Sequence, residues 1–169
     1  MPGKILLATA LLSLASPALI GEDAPSPVEH KFEQILSWEG RWDVAEVDAL
    51  SIVFERTARG STMVERWETA SGLHSMTVYH LDGDAIVATH YCPQGNQPRL
   101  VAGAGNGASI AFSFLDVTGL DEGESHAHSL SFEQTGEETI IRSEIYLGPE
   151  GIGDPTVLTL IRSPDTPAD

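Results

Sequence analysis

The stretch from residue 26 to residue 47, "SPVEHKFEQILSWEGRWDVAEV", changes its hydrophobic period at Gly40, and that change decides the fold. Before the glycine, Phe32, Ile35 and Leu36 recur at helical spacing and so share one face of a short helix. Ser26 is suited to cap that helix, Pro27 to occupy its first turn, and Glu29 to sit near its positive end. After the glycine, apolar and polar residues alternate, the pattern of a strand with one buried face.

The alternation continues to the C-terminus. Ten runs read as strands: "RWDVAEV", "SIVFERTA", "TMVERWET", "LHSMTVYHL", "AIVATHYC", "PRLVAGAG", "SIAFSFLDV", "SHAHSLSFEQ", "TIIRSEIYLG" and "TVLTLIRS". Asp82-Gly83 and Asn106-Gly107 are strong hairpin signals. No second long helical pattern interrupts the strands, which argues for antiparallel neighbours and against crossover helices. Closing the meander would remove the exposed edges that a long open sheet carries. The expected fold is therefore all-β: an antiparallel meander barrel of about ten strands behind a short N-terminal helix, spanning residues 26–163, with 164–169 as a flexible tail.

A helix followed at once by Gly40-Arg41-Trp42 resembles the start of lipocalin-like (calycin) barrels. The resemblance implies that Trp42 opens the first strand and that an arginine of the last strand, here Arg162, lies over it. Geometry supports this. In a closed meander of even strand number the last strand runs antiparallel to the first, so the end of "TVLTLIR" meets the start of "RWDV", and Arg162 can stack on the indole as a cation–π pair. A second resemblance rests on "YHLDGD" (79–84), "THYCPQGNQPRL" (89–100) and the later His126-x-His128. These are similar to a family of secreted bacterial lipocalin-like domains of unknown function. That likeness implies a fold and a compartment, and no reaction.

The first residues, "MPGKILLATALLSLASPALIGEDAPSP", place Lys4 before an apolar run from Ile5 to Ala15 and then Ser16-Pro17-Ala18. This is the order of a signal peptide, read over residues 1–21 with cleavage between 18 and 24. The run is too short for a transmembrane helix. The mature chain is expected in the periplasm or outside the cell, with no membrane insertion after signal removal. Cys92 is the single cysteine, so no internal disulfide can form. Nine basic residues against 25 acidic ones leave a net charge of -16, which argues against nucleic acid and anionic membrane surfaces as partners.

The candidate site starts from the Asp82-Gly83 hairpin. Read as a two-residue loop, it sets Tyr79 against Ile86, Thr77 against Ala88 and Ser75 against His90, so Tyr79, Thr77, Ile86, Ala88, His90 and Cys92 share one face. In "SHAHSLSF", His126, His128, Leu130 and Phe132 share a face that the two large apolar residues should turn into the core. Three readings fit. The first is a zinc-type metal site of His90, His126 and His128 with Cys92 as a fourth group, because imidazole and thiolate suit zinc. The second is an interior hydrogen-bonded cluster. The third is a pocket for an organic ligand or a heme; heme is implied only by the resemblance, since some barrels of that superfamily bind it through an inward histidine.

Asn96, Gln97 and Arg99 follow Gly95 in a loop that could offer polar groups to a ligand at the barrel mouth, while Gly103 and Gly105 would leave room inside. The ligand-binding set is then His90, Tyr79, Asn96, Arg99, His126 and His128. The carboxylate pairs Glu65/Glu68 and Glu137/Glu138 read as solvated strand ends, and His30, His74 and His80 as surface or rim residues. No Walker loop, dinucleotide fingerprint or Gly-x-Ser-x-Gly elbow is present. The expected role is binding a small apolar or amphipathic molecule inside the barrel. The alternatives are a zinc-dependent enzyme on the histidines and an interaction domain whose barrel is filled with side chains.

Overall fold

The N-terminal helix forms where its signals lie. Helix α1 spans Pro27–Leu36, the Ser26 hydroxyl accepts the Glu29 amide, and Glu29 returns the bond to the cap residue's own amide. This reciprocal box satisfies donors that a helix start otherwise leaves open. Val28, Phe32, Ile35 and Leu36 form the buried face. The computed structural model describes residues 24–105 and 107–164. The expected signal peptide, Asn106 of the second hairpin signal and tail residues 165–169 lie outside the described residues.

All ten predicted runs are strands. They are β1 Gly40–Val44, β2 Leu50–Thr57, β3 Thr62–Thr69, β4 Gly72–Asp82, β5 Ala85–Tyr91, β6 Gln97–Ala102, β7 Ile110–Thr118, β8 His126–Gly136, β9 Thr139–Gly148 and β11 Thr156–Arg162. A two-residue strand, β10 Gly151–Ile152, adds to the end of β9. Each strand from β1 to β8 pairs antiparallel with the next, β9 also pairs with β11, and β11 pairs with β1, which closes a ten-stranded barrel. No helix among the described residues is long and apolar enough to cross a membrane.

The closure is the one implied by Gly40-Arg41-Trp42. Trp42 stands opposite Arg162 across the β1–β11 seam. The Arg162 guanidinium carbon lies 4.3 Å from the centroid of the Trp42 ring. Arg162 Nη1 donates to the Glu39 carbonyl at 2.9 Å and Nη2 to the Ser37 carbonyl at 3.4 Å. A cation thus sits over the C-terminal end of α1, where unpaired carbonyls carry partial negative charge. The Trp42 indole donates to the Trp38 carbonyl at 2.7 Å. Last strand, first strand and helix are locked together at one end of the barrel. Trp38, Trp42, Phe54, Phe112 and Phe132 fill the core next to it.

The first hairpin differs from its predicted register by two residues. Asp82 pairs with Ala85, Tyr79 with Ala88 and Thr77 with His90. A shift of two leaves every side chain on its expected face, because the side-chain period of a strand is two. Tyr79, Thr77, Ile86, Ala88 and His90 are all buried as a group. The glycine-rich segment is placed otherwise than expected. β6 ends at Ala102, so Gly103 and Gly105 belong to the β6–β7 connection, where Gly105 approaches the Lys31 ammonium of α1. They do not widen the wall of a strand.

Candidate functional site

The two ends of the barrel differ in chemistry. One end is covered by α1. Towards the other, the inner face of β3, β4, β5 and β9 carries polar side chains among apolar ones. Glu65 is 0% exposed and Arg142 is 1% exposed. The Glu65 carboxylate accepts the Trp67 indole N–H at 2.7 Å, Arg142 Nε at 3.0 Å and the Tyr79 hydroxyl. Arg142 Nη1 lies 2.9 Å from Glu144 Oε2. The guanidinium carbon stands 4.6 Å from the centroid of the Trp67 ring and 5.7 Å from that of Phe132. A buried carboxylate is tolerated only when it is paired and hydrogen-bonded, and this one has three donors.

The local folding explains the arrangement. In β3, Met63, Glu65 and Trp67 follow one another on the inner face at the strand period. Glu65 stands opposite Phe54 of β2 and Thr77 of β4, both buried. In β9, Arg142 stands opposite Phe132 of β8 and Leu158 of β11. Ring closure brings the two strands face to face across the interior. Burial pulls the Arg142 pKa down, but the charges of Glu144 and Glu65 outweigh it and leave the group more basic than usual. Burial, reinforced by the Glu65 charge, holds the Tyr79 hydroxyl well above its ordinary pKa, so it stays a proton donor.

His90 joins this cluster. Its Nδ1 lies 2.9 Å from Thr77 Oγ1. Burial lowers its pKa, with Glu65, Arg142 and Glu144 all close enough to act on it electrostatically. Tyr146 lies nearer the rim, and its hydroxyl is pushed upward by burial and then by the Glu144 charge. Among the described residues neither His90 Nε2 nor the Tyr146 hydroxyl has a hydrogen-bond partner. Trp67 and Tyr146 are partly buried, Cys92 is partly exposed, and the Glu144 side chain is 11% exposed. The inner positions beside them, Ser75, Thr77 and Ala88, are small and buried.

Of the sequence-predicted ligand set, the structure brings together His90 and Tyr79. The other four lie elsewhere. Arg99 is on the outer face of β6, where its Nε donates to Asp116 at 2.7 Å and the pair is held by a second contact. Asn96 is 0% exposed, yet its amide serves the chain, donating to Glu124 at 3.0 Å and to the Ser125 carbonyl at 3.1 Å. It ties the "PQGN" turn to the start of β8.

His126 is buried, at 6% exposed, and His128 Nδ1 is buried with no hydrogen-bond partner among the described residues. A β-bulge between Ala127 and Ser129 interrupts their strand: Ala127 stands opposite Tyr146 and joins the core, while His126 stands opposite Leu147. Both rings pack on Phe114, with centroids 4.6 and 5.9 Å away, and their own centroids are 6.4 Å apart. A bulge inserts one residue and breaks strict alternation, which no alternating pattern announces. Among the described residues, no three histidine, cysteine, aspartate or glutamate side chains form a group able to hold a metal ion. The zinc set of His90, His126, His128 and Cys92 is therefore not brought together.

Glu65, Trp67, Arg142, Glu144 and Tyr146 are the residues that sequence reasoning missed, and Glu65 is no solvated strand end. The signal was present in phase: Glu65 lies between Met63 and Trp67 on the apolar side of its strand, and Arg142 follows Ile140 in the same way. A separate open cleft of about 470 Å³ lies at the helix-covered end, lined by Phe32, Leu36, Gly60, Ser61, His80 and Leu81. It lacks the convergence of buried polar groups found inside the barrel.

No protein-family model matches the chain, and no curated protein matches it. Fold and interior together define a lipocalin-like antiparallel barrel with a charged, hydrogen-bonded inner network.

Proposed function

We propose that this chain is an exported binding barrel that takes up a small amphipathic molecule through the end opposite α1. The observation that carries this reading is the Glu65–Arg142–Glu144 network beside His90. Buried charged and polar groups converge on an inner face whose neighbouring positions are small, and Trp67, Glu144, Tyr146 and Cys92 are only partly buried. Pockets that bind small molecules combine apolar walls with a few placed polar groups in this way, and perturbed titratable groups cluster at functional sites. Export is supported by the charged, apolar and small-residue order of residues 1–24. The motifs around Thr89–Leu100 support placement within the secreted bacterial lipocalin-like family.

The test titrates the purified protein with an uncharged, environment-sensitive naphthylamine dye, following dye emission and quenching of tryptophan. One saturable site is expected, lost in Ser75→Phe, which fills the inner face opposite Trp67, without loss of the folded state. Absence of saturable binding, or binding untouched by Ser75→Phe, would overturn the reading. Intact mass of the exported protein should place its first residue between Ala18 and Ala24, and retention of Met1 would remove the export part.

A further inference from the structure

We infer that the interior guanidinium receives an uncharged hydrogen-bond acceptor of the ligand, a carbonyl oxygen in its simplest form, on Arg142 Nη1. This rests on the binding-barrel reading above and names the polar group of the molecule that the same site takes. Arg142 is 1% exposed, and its Nε donates to Glu65 at 3.0 Å. Its Nη1 is also buried, yet it has no hydrogen-bond partner among the described residues. The Glu144 carboxylate comes within 2.9 Å of that nitrogen. It does not lie along an N–H direction, so the contact is one of charges and leaves the donor open. Buried polar groups in folded proteins nearly always have partners. A buried donor left without one costs free energy, which an arriving acceptor recovers.

Charge balance says which acceptor fits. Glu65 and Glu144 share one guanidinium, which leaves the network with one formal negative charge. Burial lowers the His90 pKa, so its imidazole is neutral near pH 7. Tyr79 and Tyr146 are held protonated, and His74 is exposed on β4. An anionic head would add a second uncompensated charge beside Glu144, whereas an uncharged oxygen takes the open N–H and leaves the balance as it is. A carbonyl oxygen also has two lone pairs. His90 Nε2 and the Tyr146 hydroxyl both lack partners among the described residues, and both side chains are within electrostatic reach of Arg142. The rings of Trp67 and Phe132 beside the guanidinium give the rest of the molecule apolar surroundings.

The experiment uses the full chain and three naphthalenes substituted at the same ring carbon: acetylnaphthalene, isopropenylnaphthalene, in which a methylene replaces the oxygen, and naphthoate. Each is measured by equilibrium dialysis at neutral pH and physiological salt. The ketone should bind one-to-one, with naphthoate weaker. Arg142→Lys keeps the interior charge but removes Nη1; it should weaken the ketone about tenfold, or about 1.4 kcal/mol, and change the hydrocarbon less than about twofold. On the unaltered protein, the carbonyl stretch of the bound, isotope-labelled ketone should fall below its frequency in hexane. In the nuclear magnetic resonance spectrum of protein labelled in its arginine side chains, a buried guanidinium signal should move with the ketone and stay with the hydrocarbon. These two measurements decide the matter if Arg142→Lys does not fold. Ketone binding that ignores Arg142→Lys, or that moves no buried arginine signal, would overturn the contact. Naphthoate binding more tightly than the ketone would overturn the uncharged assignment. Binding of the hydrocarbon without the ketone would overturn the polar-group assignment and leave the binding barrel standing. If none of the three binds, the binding-barrel reading itself fails.

Discussion

Removing the interior cation should be among the most damaging single changes in this chain. Arg142→Met keeps the length of the side chain and its packing between Trp67 and Phe132, but deletes the contacts to Glu65 and Glu144. Glu65 would keep two donors, Trp67 and Tyr79, around a carboxylate with no access to water. Breaking a buried pair by removing one partner costs about 3–5 kcal/mol, because the remaining charge is left uncompensated. Against a typical total of roughly 5–15 kcal/mol, that is a large share of the stability. Glu144 softens the loss, since it can turn towards solvent, so the expected cost is about 4 kcal/mol. The companion change, Glu65→Gln, keeps the shape and removes the charge. Combined with Arg142→Met it should recover part of the damage, with a coupling of about 2 kcal/mol between the two sites. Urea unfolding followed by tryptophan fluorescence measures all four corners of the cycle. An Arg142→Met cost below about 1 kcal/mol, or costs that simply add, would show that the pair is not the linked, desolvated unit described above.

Two further outcomes follow from named contacts. Arg162→Ala should cost about 2 kcal/mol, from lost stacking on Trp42 and two charge-assisted bonds to the carbonyls of Ser37 and Glu39; a urea-unfolding change under about 0.5 kcal/mol would mean that the seam closes without it. His90 sets a pH dependence. Burial lowers its pKa in the folded state, so below the unfolded value of 6.5 the unfolded chain takes the proton first. Stability should therefore fall as pH drops through about 6.5, a step that His90→Gln should flatten. The exposed carboxylates Glu29, Glu46 and Asp116, whose folded pKa values are lowered, act in a separate acidic window below their ordinary values of 4.5, 4.5 and 3.8. Unchanged urea midpoints for His90→Gln and its parent at every pH would refute the assignment.

Much of the architecture follows from local pattern. The Ser26–Glu29 box starts the helix, Gly40 marks the change of period, and ten alternating runs become ten strands. The seam between Trp42 and Arg162 is set by strand parity, which a closed meander leaves no freedom to change. The face shared by Tyr79, Thr77 and His90 survives a two-residue error in register for the same reason. Tertiary structure alone decided the site. Glu65 and Arg142 are 77 positions apart and meet only when the ring closes. Taken singly, each is a charged residue in a strand, and the sequence pattern of either strand cannot say that the other supplies its counter-charge. The bulge at His128 shifts the pairing of His126 against β9 by one inserted residue, and its cause lies in that pairing. Desolvating a charge is favourable or ruinous according to the partner that arrives from a distant strand, so the barrel was readable from its alternation and its charged interior only from its closure.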